Sequence, residues 1–298
     1  MAMTRIASLK VTAMTVPVVI CADDYGLAPG VNLAIRELIA LGRITATSVM
    51  SLCPHWEAEA AALRAVAGHA DVGLHFTLTD QRPLGPMPHL APDGRLPSLG
   101  RLMAMAYRQA LDAAEIRAEL TRQIDAFTAV WGRPPAYIDG HQHVHQLPTV
   151  RDAVVDAAAA WPGTYVRRCG EPIAAVLARR VAVPKTLLIG GLGFGLSRRL
   201  DARSIPANDR FAGVYDFATA EPFAALMPRF LAGFRHGKAG RNLMMVHPGL
   251  PDEALRRVDS LVEPRRAEYE YLKGADFAAL LERQGIRPVR FQDLPSIS

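Results

Sequence analysis

Short apolar runs alternate along this chain with segments whose apolar positions repeat at helical spacing. VPVVICA precedes PGVNLAIRELIALG, in which Pro29 suits a first helical turn and Gly42 a helix stop. The pattern recurs in TATSVMSL with HWEAEAAALRAVAG, and in VGLHFTL with EIRAELTRQIDAFTAVWG. Later strands are predicted in AYIDGHQHV, TYVRRC, NLMMVH and RPVRF. This alternation predicts an α/β fold with a parallel sheet, closed or nearly closed as a barrel.

The length of the chain suits one domain. With 298 residues, half of them apolar, it can bury a sizeable core, and a single barrel of this length is ordinary. The sequence contains no internal repeat or low-complexity tail. We therefore expect residues 1–298 to form a single domain, with residues 1–15 as a short N-terminal extension of the first strand.

The cysteines and the N-terminal segment indicate the cellular compartment in which the protein works. Cys21, Cys53 and Cys169 have no CxxC spacing, which is typical of buried free thiols in a reducing compartment. Arg5 and Lys10 interrupt the apolar residues of the N-terminal segment, so it lacks the continuous core of a signal peptide. No apolar run is long enough to span a bilayer. We predict a cytoplasmic protein without membrane insertion.

The number and distribution of charged residues indicate which kinds of binding partner to expect. A formal net charge of +5 is modest for this length, and the arginines are scattered without a basic block or an interleaved aromatic platform. Nucleic acid is therefore not expected as a partner, while an anionic or phosphorylated group on a substrate is compatible. For assembly, the general prevalence of symmetric dimers makes a homodimer the default expectation.

Two adjacent carboxylates, Asp23 and Asp24, follow the first apolar run in VVICADDYG. Their repulsion is relieved when a cation binds or when one keeps a proton, so one can ligate a metal while the other handles protons. Surface turns also contain such pairs. His75 in VGLHFTL and the histidines of DGHQHVH favour the metal, because histidine on a buried strand needs a partner. The sequence therefore predicts a metal site with Asp and His ligands.

The histidine-rich segment offers alternative ligands. His141, His143 and His145 share a face if the segment stays extended, because side chains alternate along a strand. An HxH pair can chelate one metal, so His141 with His143 is an alternative ligand pair.

Five residues are candidates for binding substrate or for supporting the ligands: His143 and His145 of the histidine-rich segment, and three others. Asp139 can orient a ligand imidazole or serve as a strand-end turn acid. Arg167 follows TYV and can hold Asp23 or a sugar hydroxyl, but we favour a solvated arginine at a strand end. Tyr25, directly after the Asp pair, is the third candidate.

Other segments give weaker indications. The proline-rich residues 80–99 follow the His75 strand and are either a wall of a substrate cleft or a surface insertion. Trp56 can stack on a pyranose, whereas Trp131 and Trp161 are assigned to the core. GGLGFG at residues 190–195 is similar to a nucleotide-binding turn, but no helix and acidic residue clearly follow at the required spacing, so we assign no nucleotide site.

Four sequence blocks carry a family resemblance. ADDYG, GLHFTLTD, the DGHQHVH run with its following Pro148, and MMVHPG occur in this order over residues 18–250. They resemble the signature blocks of the YdjC-like carbohydrate deacetylases, which include chitooligosaccharide deacetylases and hopanoid-biosynthesis-associated homologues. Departures are small, with Tyr25 where a phenylalanine is common and Gln142 where several members have histidine.

The resemblance implies a fold, a cofactor and a reaction. The fold would be a distorted or incomplete (β/α) barrel of the NodB-like deacetylase type, with one divalent metal ion, zinc or magnesium. The substrate would be an N-acetylated sugar, either an oligosaccharide or a lipid-linked or nucleotide-linked sugar. By motif position, the implied metal ligands are Asp24, His75 and His141, the implied general base is Asp23, and the implied acid is His247.

Three functions remain as hypotheses. We favour an amide hydrolase that removes acetyl from an N-acetylated sugar. The alternative is a metal-dependent hydrolase of another bond, such as a phosphoester or a cyclic amide, which a two-metal centre would support. The third is a sugar-binding protein with an inactive site, against which Asp23 and His247 argue because binding alone needs neither.

Overall fold

The computed structural model describes residues 15–235 and 240–294. Every strand pair in this part of the chain is parallel. The strands belong to one sheet and are β1 (Val16–Tyr25), β2 (Ala46–Val49), β3 (Asp71–Phe76), β4 (Tyr137–Gly140), β5 (Tyr165–Val166), β6 (Arg210–Ala212), β7 (Asn242–Val246) and β8 (Ile286–Pro288).

The sheet curls into a nearly closed barrel. Its order is β5-β4-β3-β2-β1-β7-β6, and β8 pairs with the first residues of β1. The two ends of this strand order, β5 and β6, lie close together. Val166 of β5 forms an isolated parallel bridge with Ala207, just before β6. The barrel is incomplete at this point, because a single backbone bridge stands in place of a continuous ladder, and this agrees with the fold that the family resemblance implies.

Helices follow most of the strands and cover the outside of the sheet. The longest, α4, begins after Asp112, whose carboxylate accepts the N–H groups of residues 114 and 115, and ends at Gly132 with φ +82°. The helices are α1 (Pro29–Ala40), α2 (His55–Val66), α3 (Leu99–Tyr107), α4 (Ala113–Trp131), α5 (Val150–Ala159), α6 (Ile173–Arg179), α7 (Val183–Leu192), α8 (Phe194–Ala202), α9 (Phe223–Gly233), α10 (Glu253–Val258), α11 (Val262–Lys273) and α12 (Ala275–Gln284).

Both faces of β1 are buried, which explains its continuous apolar sequence. Val18 and Ile20 pack in the larger core cluster, with the helices. Val19 and Cys21 alternate with them and pack in a smaller cluster inside the curled sheet. By the same alternation, the next residue on the inner face is Asp23, at the carboxyl end of the strand.

The structure differs from the sequence-based expectation in several elements. Residues 141–146 form a tight 3₁₀ turn instead of an extended strand, with φ +51° at Gln142 and φ +62° at His143. The strand expected in TYVRRC is only two residues long, and that in RPVRF is shifted to Ile286–Pro288. The glycine-rich segment lies in α7 and α8, without a strand before it. Residues 1–14 of the expected N-terminal extension lie outside the described part.

Within the residues that the structure describes, every helix is too short or too polar to cross a membrane.

Candidate active site

A backbone irregularity at the end of β1 brings two adjacent carboxylates to one site. The pairing of β1 with β2 changes register between Ala22 and Tyr25. Within that interval Asp24 has φ +72°, a left-handed conformation that a short polar side chain tolerates better than a branched one. In a regular strand Asp23 and Asp24 would face opposite sides of the sheet. The irregularity lets both line the same cavity.

Asp24, His75 and His141 form a cluster that can hold a metal ion. Each offers one ligand atom, and these atoms lie within 4.8 Å of one another. Oδ1 of Asp24 is 3.2 Å from Nε2 of His75 and 2.9 Å from Nδ1 of His141. His75 comes from the end of β3 and His141 from the turn after β4, so three strand ends converge on one point. Two imidazole nitrogens and one carboxylate oxygen are a donor set that suits a divalent cation with room for water.

Asp139 fixes the orientation of His75. Its Oδ1 is 2.6 Å from Nδ1 of His75, and its Oδ2 accepts a hydrogen bond from the Ser48 hydroxyl at 2.6 Å. Burial by itself would lower the pKa of His75, but the carboxylates of Asp139 and Asp23 reverse this and raise it to about 10. When a metal binds and displaces the proton from Nε2, a proton on Nδ1 held by Asp139 would leave Nε2 as the ligand atom beside Asp24.

Asp23 is held in place by a buried arginine. Arg167 is fully buried and donates from Nη1 to Oδ2 at 2.7 Å and from Nη2 to Oδ1 at 2.6 Å. Its Nη2 is also 2.6 Å from Oδ2 of Asp139. Burial would raise the pKa of Asp23, but the Arg167 guanidinium outweighs this and keeps the pKa below its usual value. The expectation of a solvated Arg167 is wrong, because two buried carboxylates draw its guanidinium under the site.

Removing the Arg167 charge should destabilise the fold. We expect Arg167→Met to lower the free energy of unfolding by about 3–5 kcal/mol, because Asp23 and Asp139 would be left buried without their counter-ion. Urea denaturation measures the change. Arg168→Met is the matched control, since Arg168 pairs with the exposed Asp201 and should cost less than about 1 kcal/mol. Equal losses in both variants would contradict the prediction.

A second buried arginine, which the sequence analysis missed, holds Asp24. Arg265 on α11 is 1% exposed, and its Nη2 is 2.6 Å from Oδ2 of Asp24 and 2.6 Å from Oδ2 of Asp259. Desolvation opposes ionisation of Asp24, but Arg265 and His141 overcome it and hold the pKa of that carboxyl well below its usual range. One feature of the sequence could have indicated that Arg265 is buried: it lies on the same helical face as the apolar residues Val262 and Leu272, which are buried.

The buried charged groups of the site do not balance one another. Asp23, Asp24 and Asp139 carry three negative charges, which Arg167 and Arg265 balance only in part. A divalent ion or protonated histidines would compensate the remaining negative charge.

His247 lines the same cavity, close to Asp23. It follows β7, and its Nε2 is 3.9 Å from Oδ2 of Asp23. Its backbone N–H donates to the buried Glu268 at 2.6 Å, and the Tyr215 hydroxyl donates to the same carboxylate at 2.7 Å. Burial lowers the pKa of His247 to about 4 and raises that of Glu268 to about 7. Burial therefore disfavours the protonated form of His247.

One cavity of about 590 Å³ is lined by Asp23, Asp24, His75, His141, His247 and Arg265. Its volume lies in the range of small-molecule sites. Asp80, Gln81, Arg95 and Leu99 line it, so the proline-rich segment forms one wall of the cavity. The opposite walls include Lys185 and Leu188 of α7, Phe217, and residues 258–261 before α11.

The 3₁₀ turn separates the three histidines that an extended strand would have aligned. Only His141 reaches the cluster with Asp24. The Nδ1 atom of His143 is 3.5 Å from the sulfur of Cys169, and its ring packs edge-on against Phe211. The Nε2 atom of His145 is 3.0 Å from the carbonyl oxygen of Arg167, within hydrogen-bonding distance. The two positive φ angles in the turn are the physical reason, because they break the alternation of side chains.

The aromatic candidates lie in the core instead of in the cavity. Tyr25 is fully buried, and its hydroxyl donates to the carbonyl oxygen of Glu59 at 2.9 Å. Trp56 is 1% exposed and stacks on Phe127 with ring centroids 5.5 Å apart. The expectations of a substrate contact at Tyr25 and of a sugar platform at Trp56 are therefore wrong. The register change at Asp24 turns Tyr25 outward to the helices.

The glycines of residues 190–195 serve close packing. A Cβ atom at Gly193 would lie 2.2 Å from Oε1 of Gln146, and one at Gly195 would lie 2.2 Å from a guanidinium nitrogen of Arg151. These glycines let α7 and α8 approach the turn that carries His141 and the following helix α5.

Comparison with known proteins identifies the family. The model of the YdjC-like protein family matches residues 17–283. Chitooligosaccharide deacetylases of Salmonella heidelberg strain SL476 and Salmonella schwarzengrund strain CVM19633 are each 29% identical over 282 residues, which cover 93% of this chain and 98% of theirs. A crystal structure from Enterococcus faecalis V583, of a protein provisionally described as a cellobiose-phosphate cleavage protein, has the same fold. It has a TM-score of 0.73 and 20% identity and covers 93% of this chain and 98% of its own. Since the family match spans most of the described residues, this chain belongs to the YdjC-like protein family.

Proposed function

We propose that the protein is a metal-dependent hydrolase that removes the acetyl group from an N-acetylated sugar. The observation that carries the proposal is the cluster of Asp24, His75 and His141 in the same cavity as Asp23 and His247. The relatives named as chitooligosaccharide deacetylases support the substrate class.

The proposed cofactor is one divalent ion held by Asp24, His75 and His141. Two imidazole donors favour zinc, whereas magnesium prefers a shell of oxygen atoms. When bound, the ion would polarise the acetyl carbonyl and lower the pKa of a water molecule. A second group of potential metal ligands consists of Cys21, Asp23 and Asp139. Arg167 already occupies the space between them, because its Nη2 donates to the Cys21 sulfur at 3.0 Å and to both carboxylates. This argues against a second metal and against the alternative that a two-metal centre would support.

Asp23 is proposed as the general base. Arg167 keeps its carboxylate ionised and fixes the direction of both oxygens, so that it can accept the proton of the attacking water. A rigid carboxylate in this position costs little reorganisation at the moment of attack.

His247 is proposed as the acid for the leaving amine. Because burial disfavours its protonated form, His247 would gain a proton during the reaction, and Asp23, whose Oδ2 is 3.9 Å from Nε2, would pass on the proton that it accepts from water. Glu268 beside its backbone holds the residue at the cavity wall. Protonation of the amine nitrogen lets the tetrahedral intermediate collapse to acetate and a free amine.

The decisive experiment is acetate release. We expect the purified protein with zinc or magnesium to release acetate from a small N-acetylglucosamine-containing saccharide and to leave a free amine, and a chelator to stop the reaction. Free, lipid-linked and nucleotide-linked saccharides should all be tested. Acetate from none of them, together with hydrolysis of a phosphoester or a cyclic amide, would favour the alternative hydrolase. Binding of saccharides without any turnover would favour an inactive binding protein.

The acid role of His247 predicts a difference between substrates. We expect His247→Ala to reduce acetate release from the amide far more than release from an activated acetyl ester, because a good leaving group needs no proton. The ratio of the two kcat/KM losses is the measurement. Similar losses on both substrates would remove His247 from the acid role.

The cytoplasm remains the proposed compartment. All three cysteines are buried and unpaired, which supports a reducing environment.

A further inference from the structure

The helix α6 turns its apolar side to solvent. Its exposed residues carry no charge, while Arg179 faces inward, is 5% exposed and pairs with Glu171. A surface helix of a globular protein normally shows the opposite arrangement, with the apolar stripe on the core. The exposed residues of α6 are Ile173, Ala174, Leu177 and Ala178, of which Ile173 is 64% exposed.

The neighbouring helix α7 has a similar surface. Among its exposed residues only Lys185 is polar, and Leu188 is 59% exposed. Phe194 at the start of α8 is 67% exposed. In the described part of the chain, half of all the exposed large apolar side chains thus lie within one stretch of 22 residues. We call Ile173, Leu177, Leu187, Leu188 and Phe194 the α6–α8 surface.

Basic side chains surround the α6–α8 surface. Arg180 and Arg198 are exposed and have no acidic partner among the described residues. The ammonium of Lys185 donates to the carbonyl oxygen of Tyr215, lies over the Phe217 ring and is near Asp216. The Arg198 guanidinium lies 5.9 Å from the centre of the Phe194 ring. Apolar side chains with a basic rim complement a surface that is apolar inside and anionic at its edge.

The same charges disfavour two other occupants. A second copy of this chain would bring its own Arg180, Lys185 and Arg198 to the same interface, where a surplus of like charges is unfavourable. Residues 1–14 carry Arg5 and Lys10 and no acidic residue, so they do not complement the surface either.

We propose that the α6–α8 surface docks the protein on an anionic lipid bilayer. The contact is peripheral and requires no helix to span the membrane. Lys185, Leu188 and Leu192 of α7 also line the active-site cavity, so docking would turn its mouth to the lipid interface. The inference does not depend on the proposed activity, because binding is measured without turnover.

Vesicle sedimentation tests the proposal. We expect the full-length protein to sediment with phosphatidylcholine vesicles that contain phosphatidylglycerol. Binding to pure phosphatidylcholine should be at least about tenfold weaker, and high salt should weaken the anionic binding. The triple variant Ile173→Ser/Leu177→Ser/Phe194→Ser should lose at least about tenfold in binding. These three side chains do not line the active-site cavity, so acetate release from a soluble saccharide should persist.

The control is Leu41→Ser, which removes a side chain that is 49% exposed at the C-terminal end of α1. It should bind vesicles like the unmodified protein. No sedimentation of the unmodified protein with anionic vesicles would overturn the proposal. So would equal binding by the triple variant and the control. A dimer that the triple variant converts to a monomer, without vesicle binding by either form, would instead assign the surface to self-association.

Discussion

Purified His141→Ala protein is expected to lose its divalent metal. In the folded chain the ligand atoms of Asp24, His75 and His141 lie within 4.8 Å of one another, and removing one imidazole leaves only two protein ligands. Affinity for zinc should fall by more than about 100-fold, since even residues that only orient ligands contribute up to that factor. Elemental analysis after dialysis and calorimetric zinc titration measure the loss. Acetate release should fall with it.

The matched control lies two residues away in the same turn. His143 lines the cavity but lies beside Cys169 and Phe211, away from Asp24. We expect His143→Ala to retain the metal with nearly unchanged affinity. If His143→Ala lost the metal and His141→Ala kept it, the ligand pair would be the alternative one, and the turn would have to rearrange on binding.

The second large effect is expected at the other member of the Asp pair. Asp23→Asn should keep the metal but lose about 10²–10⁴-fold in turnover, the usual contribution of a positioned general base. The amide has nearly the shape of the carboxylate, and Arg167 keeps Asp139 as a partner, so the fold should persist. Steady-state kinetics with a metal-loaded sample measure the change.

Asp24→Asn provides the comparison for Asp23→Asn. It removes the charge that faces both histidines and Arg265, and we expect weakened metal binding together with lost activity. Circular dichroism should show that both variants are folded. A metal-free Asp23→Asn beside a metal-loaded Asp24→Asn would reverse the two roles.

Much of the site could be predicted because it is local to strand ends. In a parallel barrel the carboxyl ends of the strands meet on one side, so polar residues directly after apolar runs converge there. Asp23, Asp24, His141 and His247 follow this rule, His75 lies inside the last part of its apolar run, and all five line the cavity. The parallel sheet and its near closure were likewise predictable from the alternation of patterns, whereas the incomplete barrel was implied by the family resemblance and the short strand β6 was not predicted.

The buried arginines could not be predicted in the same way. An arginine after a strand or on a helix is normally solvated. The neighbours of Arg167 in the sequence give no sign of burial, and for Arg265 the sign is that it shares a helical face with the buried Val262 and Leu272. Arg167 and Arg265 are buried only because carboxylates from other elements meet them. Their environment is set by contacts over 144 and 241 residues of sequence.

The sequence by itself determined which chemical groups lie at the strand ends, since apolar runs and strand direction specify that placement. The tertiary structure alone decided how those groups point. A left-handed residue at Asp24 brings adjacent carboxylates to one cavity and turns Tyr25 outward, and the turn at residues 141–146 selects one histidine of three. The physical reason is that alternation along a strand is a local rule. Backbone irregularities and buried ion pairs depend on partners that are distant in the sequence.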